Sequence, residues 1–480
     1  MKLLAIFLVS SCLLCVTAKT QSKQLIKIET NKILCLFSFL EAAAQERSSS
    51  PTMYKIIQDS LGGNQEFNTI VQEYSSIKKQ YHMKREEFPE SRDTYTGSKD
   101  FLWIASANAE SIDDFSERII GFLPHNSHQA LITCLKEVEP YYDKLIWDRE
   151  TENIRTIENK LDVYRKQIAT LFLKISSFYG TEWKLDIPFK IMLYPIPAQK
   201  GITRAIPKGN NLICSFLSHD EESYKHILGI AIHEMCHILY DAQPIALQQN
   251  LEQWFAENPS EYSSLAYSYL NEGLATVLGN GWAYQKIHQE LDTTDWYSNK
   301  YIDGFARAMF KETKDYLEEG KTIDKKFVDK AIISFENKFP QANIDINILV
   351  TSIEVFADFE DEQSRNSFRE LLFKKFNSIR SLSISSPLND PESLSRLKNE
   401  KTKLIIVDNN HRQNLDYLHT HNQSVPDKLD INSEWIYSFR DQKNYAIFII
   451  INLQSSTNLG MGLEKLAEQK HLNFEVLQEF

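Results

Sequence analysis

His233, Glu234 and His237 stand together in the stretch IAIHEMCHILYD, residues 230–241. On a helix, positions i and i+4 lie on one face. The two imidazoles can then share one zinc ion, while Glu234, next to the first, sits beside it as a general base for water. The competing reading, two core histidines satisfied by backbone, buries two imidazoles and a carboxylate together with no cation among them, which is costly. A catalytic zinc site takes three protein ligands and leaves a fourth position open. The extended motif that ends in Gly-x-x-His is absent, because Gln243 occupies the place of the third histidine. A downstream carboxylate is therefore expected, and Glu257 and Glu272 compete. In ENPSEY, Asn258 reads as an N-cap, Pro259 as the first helical residue and Glu261 as the capping-box partner. Glu257 then falls outside the helix. Glu272 falls inside it, in YLNEGLATVLGNG, where Gly279-Asn280-Gly281 marks the expected stop. Glu272 is the expected third ligand.

Nearby side chains have lesser parts. Cys236 reads as a small packing residue, although a thiol in the motif could also shadow the metal. Thr276 and Asp241, each one turn beyond a ligand, are candidate partners for the ligands or plain helix-surface groups. His219 and His226 precede the motif without matching geometry and read as surface or first-turn residues.

The elements that must position these groups have readable signals. From Ile227 to Leu239 the motif helix is apolar nearly all round, so it is expected to be buried, with Ser218 and Glu221 as its capping box. Phe189 to Pro197 and Asn211 to Leu217 are short apolar runs bounded by Pro, Gly and Asn, as strands are. KGITRAIPKGNN between them suits a further strand or a hairpin, and NLICSF is the expected edge for an extended peptide. Residues 22–46 and the polar patterns that continue to Gly180 read as helical. Beyond Asp345, strand-like runs (Ile346 to Phe356, Lys403 to Val407, Tyr445 to Leu453) alternate with helical patterns (Asp361 to Asn377, Leu459 to Gln469), which suggests a small α/β domain.

HEMCH followed by LNEGLAT resembles the gluzincin metallopeptidases, especially the branch that contains aminopeptidase N and leukotriene-A4 hydrolase. In that family the glutamate of an Asn-Glu-Gly-x-Ala stretch is the third zinc ligand, which points again to Glu272. The resemblance also implies an oxyanion-stabilising tyrosine in a Tyr-x-x-Gly-x-Ala setting. KYIDGFARAMF places Tyr301, Gly304 and Ala306 accordingly, with Tyr297 one turn earlier lacking that context. The chain departs from the family in three places. The segment between the two zinc helices is longer, the segment from Glu272 to Tyr301 is shorter, and GNNLICSF lacks the glutamate that holds a substrate's amino terminus in the aminopeptidases. The resemblance covers residues 185–320.

The fold class expected from these signals is α+β. A leader (1–18) precedes a helical N-terminal region (19–180), a zincin-like metallopeptidase domain (181–344) and a small α/β domain of unassigned role (345–480). The expected activity is zinc-dependent hydrolysis of peptide bonds, with Glu234 as base and Tyr301 as oxyanion donor. A catalytically silent zincin scaffold and a zinc hydrolase of a non-peptide substrate are the alternatives. A hydrophobic share of 42% and a charged share of 25% suit a folded chain. The net charge of −12, with no long basic run, gives nucleic-acid binding no footprint, so the expected partner is a peptide or protein substrate.

MKLLAIFLVSSCLLCVTAKT has one lysine, an apolar run from Leu3 to Val16, and Val16-Thr17-Ala18 as a cleavage site. An exported protein without a membrane span is expected, and a lipid anchor at Cys12 is the alternative. Cys35, Cys134, Cys214 and Cys236 lack Cys-x-x-Cys spacing, and export would permit one or two bridges among them. Amino-terminal sequencing of the mature protein should begin at or near Lys19. A start at Met1 would rule out cleavage, and a lipidated Cys12 would identify the anchored form.

Overall fold

The computed structural model describes residues 24–480 apart from 47–48, 90–91, 93–94, 392–393, 400, 427 and 444. The leader, Cys12 and Cys15 lie outside the described residues. The fold is mixed α and β, with several sheets.

Twelve strands are labelled in chain order. They are β1 (Ile26–Thr30), β2 (His82–Lys84), β3 (Tyr95–Gly97), β4 (Phe189–Ile196), β5 (Ala205–Lys208) and β6 (Asn211–Leu217). In the C-terminal region follow β7 (Ser352–Phe356), β8 (Ser381–Ser385), β9 (Thr402–Val407), β10 (Trp435–Arg440), β11 (Ile447–Asn452) and β12 (Gln478–Glu479). β2 and β3 form a separate two-stranded ladder.

The sheet that carries the centre has the order β1-β4-β6-β5. β1, β4 and β6 run parallel, and β5 returns antiparallel on β6. The two-residue turn Gly209-Asn210 closes that hairpin, with Gly209 at φ +59°, a conformation such turns require and glycine adopts freely. β6 is therefore interior. The expectation that NLICSF forms the edge is corrected, since β5 is the terminal strand.

Alternation along β4 and β6 divides their side chains between two cores. Met192, Tyr194 and Ile213 pack with helices drawn from residues 33–146. Ile191, Leu193, Leu212 and Phe216 pack with the motif helix and the helices that follow it. Both faces are covered, so both strands read as near-continuous apolar runs. The N-terminal region is thus one cover of this sheet rather than a purely helical unit. It also supplies β1, so the helix expected over residues 22–46 begins only at Lys32. There Asn31 caps it by accepting from the backbone N–H groups of Ile33 and Leu34.

The motif helix spans Ser223–Asp241. The expected capping box is not formed, because Ser218 instead donates to the Ile196 carbonyl and no side chain caps the helix. The helix that carries Glu272 spans Ser263–Thr276 and starts later than expected. Asn258 spends its side chain on an Asx turn, accepting from the backbone N–H of Ser260 at 3.0 Å. Nor does the helix stop at Gly279-Asn280-Gly281. It widens into a π-helical segment over Val277–Ala283 and continues as Tyr284–His288.

The C-terminal sheet has the order β12-β10-β11-β9-β7-β8, with β11, β9, β7 and β8 parallel. One face packs against the helices Glu362–Lys375 and Leu459–Glu468, the other against His411–His421. Of the expected run from Ile346 to Phe356, the first turn, Ile346–Leu349, is helical and only Ser352–Phe356 is a strand. No helix among the described residues is long and apolar enough to cross a membrane.

Cys35, Cys134, Cys214 and Cys236 are all free and buried, and no disulfide occurs among the described residues. Burial pushes the Cys35 thiol up to about 12 and the Cys134 thiol to about 11, which removes the reactive thiolate near neutrality. An alkylating reagent at pH 8 should label none of the four in the native protein and all four after denaturation, as read by peptide mass mapping. Rapid labelling of any of them in the native protein would contradict this packing.

Candidate metal centre

The motif helix turns His233 and His237 toward the helix Ser263–Thr276, and Glu272 meets them there. The two Nε2 atoms are 3.2 Å apart. Glu272 Oε2 lies 3.5 Å from His233 Nε2 and 3.7 Å from His237 Nε2. Zinc ligands about 2.0–2.2 Å from a tetrahedral ion are about 3.3–3.6 Å from one another. The three donor atoms therefore have the mutual spacing such an ion needs, and they form one possible metal-holding group among the described residues.

The ring protons point the same way. His237 Nδ1 is 2.9 Å from Asn271 Oδ1, and His233 Nδ1 is 3.3 Å from Asn280 Oδ1. Asn280 is oriented by its own amide, which donates to the Trp296 carbonyl at 2.9 Å and leaves its oxygen for the histidine. An amide oxygen only accepts, so each Nδ1 carries a hydrogen, and whenever a ring is neutral its Nε2 lone pair faces its neighbours. Glu272 Oε2 is buried with no hydrogen-bond partner. Its contacts with the imidazoles are too long to be good hydrogen bonds. His233, His237 and Glu272 thus form a partly buried group of three donors that could hold a metal ion.

Burial alone would raise the Glu272 carboxyl. Its contact with His233, the charge of His237 and the Tyr297 hydroxyl outweigh burial and hold it at about 2. Glu234, on the same helix turn, responds the other way. Burial pushes it up to about 7, with Glu272 adding to the rise and His237 opposing it. Two carboxylates that feel each other's charge are thus driven toward opposite protonation behaviour, one held as an anion and one able to exchange a proton near neutrality.

The segment that supplies Asn280 needs its glycine. A Cβ on Gly279 would lie 2.9 Å from both the backbone N and the Cα of His233. The π-helical turn can pass against the motif helix only because that atom is missing. Asn271 and Asn280 were not singled out in the sequence, although Asn271 directly precedes Glu272 and Asn280 lies between two glycines.

Of the two candidate ligands, the structure brings Glu272 to the histidines. Glu257 is exposed at the end of the helix Ile245–Ala256, where it accepts from Gln253. Cys236 faces the core beside Tyr179. Thr276 is buried with an unpartnered hydroxyl, and Asp241 lines a cavity at the helix end. His226 is exposed, and His219, also exposed, contacts Glu150.

Tyr301 is not brought to the histidines. It falls in the first turn of the helix Lys300–Glu319, and its hydroxyl donates to Asp345 Oδ2 at 2.8 Å while its ring packs on Phe339. Tyr297 takes the position expected of it. Its ring stacks on His233 with centroids 5.8 Å apart, and its hydroxyl is near enough to Glu272 to lower that carboxyl. Burial and the Glu272 charge push that phenol up to about 12, so it remains a hydrogen-bond donor.

A cavity of about 350 Å³ meets the centre through Asn271 and Glu272 and extends between their helix and the C-terminal domain. No family model, no curated protein and no solved structure matches this chain.

Metal content after dialysis tests the assignment. His233→Ala, His237→Ala and Glu272→Ala should each lose about one zinc per chain, and Glu257→Ala should keep it. Asn271→Ala and Asn280→Ala should weaken zinc affinity about ten- to hundredfold, because they free the rings without removing a ligand. Zinc retained by Glu272→Ala would refute the centre.

Proposed function

We propose that this chain is an exported gluzincin-type zinc metallopeptidase that hydrolyses peptide bonds. The observation that carries the reading is the convergence of His233, His237 and Glu272 on one point, with Glu234 beside it. Bound there, zinc would supply a Lewis acid for a peptide carbonyl and lower the pKa of water.

The chain's own residues do the rest. Glu234 accepts a proton from the attacking water and returns it to the leaving nitrogen, so that one amide and one water become a carboxylic acid and an amine. Its titration near neutrality suits both halves of that transfer. Tyr297 replaces Tyr301 as the donor to the oxyanion, because its hydroxyl already lies on Glu272 while that of Tyr301 is engaged by Asp345. Asn271 and Asn280 keep both imidazoles turned and in one tautomer.

An extended peptide would add to the sheet along β5, its terminal strand. Two observations support that side. The Glu234 charge acts on Cys214, and Cys214 pairs with Ala205 of β5. The leader is the support for export.

Kinetics on purified variants separate these roles. Glu234→Gln should keep zinc and the fold yet lose nearly all turnover of a casein-type substrate. Tyr297→Phe should lower kcat about a hundred- to a thousandfold with KM nearly unchanged, the effect of losing one oxyanion donor. Tyr301→Phe should leave kcat close to wild type. Activity that survives chelation of the metal, or full activity in Glu234→Gln, would overturn the reading.

A further inference from the structure

The cavity beside Glu272 is walled on its far side by the C-terminal domain. Thr351, Arg380 and Lys401 each stand directly before a parallel strand, β7, β8 and β9 respectively, and all three line it. Four cationic side chains face this space, and three of them are engaged. Arg92 donates to the Tyr240 carbonyl at 3.0 Å and to Gln243 Oε1 at 2.6 Å, with its guanidinium over the Tyr240 ring. Arg440 pairs with Glu261. Lys401 lies 3.9 Å from Glu354. Arg380 is exposed and has no carboxylate or hydrogen-bond partner for its guanidinium among the described residues.

Its place in the cavity gives that charge a direction. Arg380 acts electrostatically on Tyr297, the tyrosine that touches Glu272, and on Tyr269 of the same helix as Glu272. Arg380 thus lines the same cavity as Asn271 and Glu272 of the metal centre. Hydroxyls of Ser264, Ser268 and Ser381 share the lining and offer further polar contacts. A planar guanidinium presents a fork of N–H donors that matches a carboxylate two bonds at a time. In a partly enclosed space lined by protein, that match is stronger than in open water. With Arg92, Lys401 and Arg440 in the same lining, the cavity is locally positive on a chain of net charge −12.

We infer that Arg380 receives a carboxylate of the substrate, so that the enzyme selects peptides presenting a negative charge beside the scissile bond. This rests on the peptidase reading of the same centre. Two parts of a peptide carry that chemistry, a free C-terminal carboxylate and an acidic side chain. Arg380 acts here as a specificity-determining residue and takes no part in bond cleavage.

The test uses the full chain, zinc-loaded, with Glu234→Gln to prevent turnover. Binding of fluorescent peptides is followed by anisotropy. One pair of peptides differs only in a free or amidated C-terminus, the other only in an internal Glu or Gln. The carboxylate member of at least one pair should bind about ten- to hundredfold more tightly. Adding Arg380→Gln should abolish that difference and leave the neutral peptides unaffected, and Arg380→Lys should restore part of it. Discrimination confined to the first pair identifies a terminal carboxylate, and discrimination confined to the second an acidic side chain. Equal binding within both pairs, a preference that survives Arg380→Gln, or no binding at all overturns the inference. Hydrolysis by the wild-type chain is measured separately. Cleavage without carboxylate discrimination leaves the peptidase reading standing and removes this one. Discrimination without cleavage keeps Arg380 as a carboxylate-binding residue, and removes both the peptidase reading and its part in selecting a substrate.

Discussion

Three donor atoms face one another at 3.2–3.7 Å in a partly buried space, and neither contact of Glu272 with an imidazole is a good hydrogen bond. Leaving a buried charged acceptor unsatisfied costs more than the ~1–3 kcal/mol typical of a neutral group. The surrounding structure does not relax to relieve this. Instead Asn271 and Asn280 fix the orientation of both rings through Nδ1. Rings held so, with Glu272 beside them, form a donor group that could hold an ion.

That constraint explains the irregular helix. The π-helical turn shifts the phase and sets Gly279 against His233 where no Cβ fits. Such widened turns cluster where function needs a side chain that regular geometry cannot deliver. Here the delivered side chain is Asn280. The motif helix in turn stays fixed because its other faces are buried against β5, β6 and the helices that follow. β6 itself is held between two cores.

Local signals made the ligands legible. The i, i+4 spacing and the apolar run around it mark a buried helix with three ionisable residues. Glu272 could be chosen over Glu257 because it lay within a helix, even though that helix begins at Ser263 and not at Pro259. Signals that depend on tertiary contact were not legible. Gly279-Asn280-Gly281 has the composition of a stop, and only the approach to His233 makes it a continuation. Asn258 and Ser218 have capping side chains that the fold uses for a turn and a strand contact. β1 was hidden because a short edge strand defined by pairing with a distant segment has no periodicity of its own to separate it from the helix that follows. Tyr301 fits the spacing of the resembled family, but spacing does not fix helix phase. With Asn299 as N-cap, residue 301 enters the first turn and faces Asp345 and Phe339, while residue 297, still in the preceding loop, is free to lean on His233.

The orientation of the C-terminal domain bears on what it contributes. In open α/β sheets, ligands bind outside the carboxyl ends of parallel strands, where loops diverge at a change in strand order. Here the opposite ends face the centre, since Thr351, Arg380 and Lys401 immediately precede β7, β8 and β9. The domain therefore offers the cavity beside Glu272 a wall of strand-entry residues. Tyr269 bonds Thr351 at 2.5 Å, Tyr301 bonds Asp345, and Arg440 pairs with Glu261, so three separate contacts fasten that wall to the helices around the centre. A wall fixed so closely to the helix of Glu272 can place a charge beside the reacting groups without supplying a ligand to them. That is the part Arg380 is positioned to play, and it gives the otherwise unassigned domain a reason to be attached at this end.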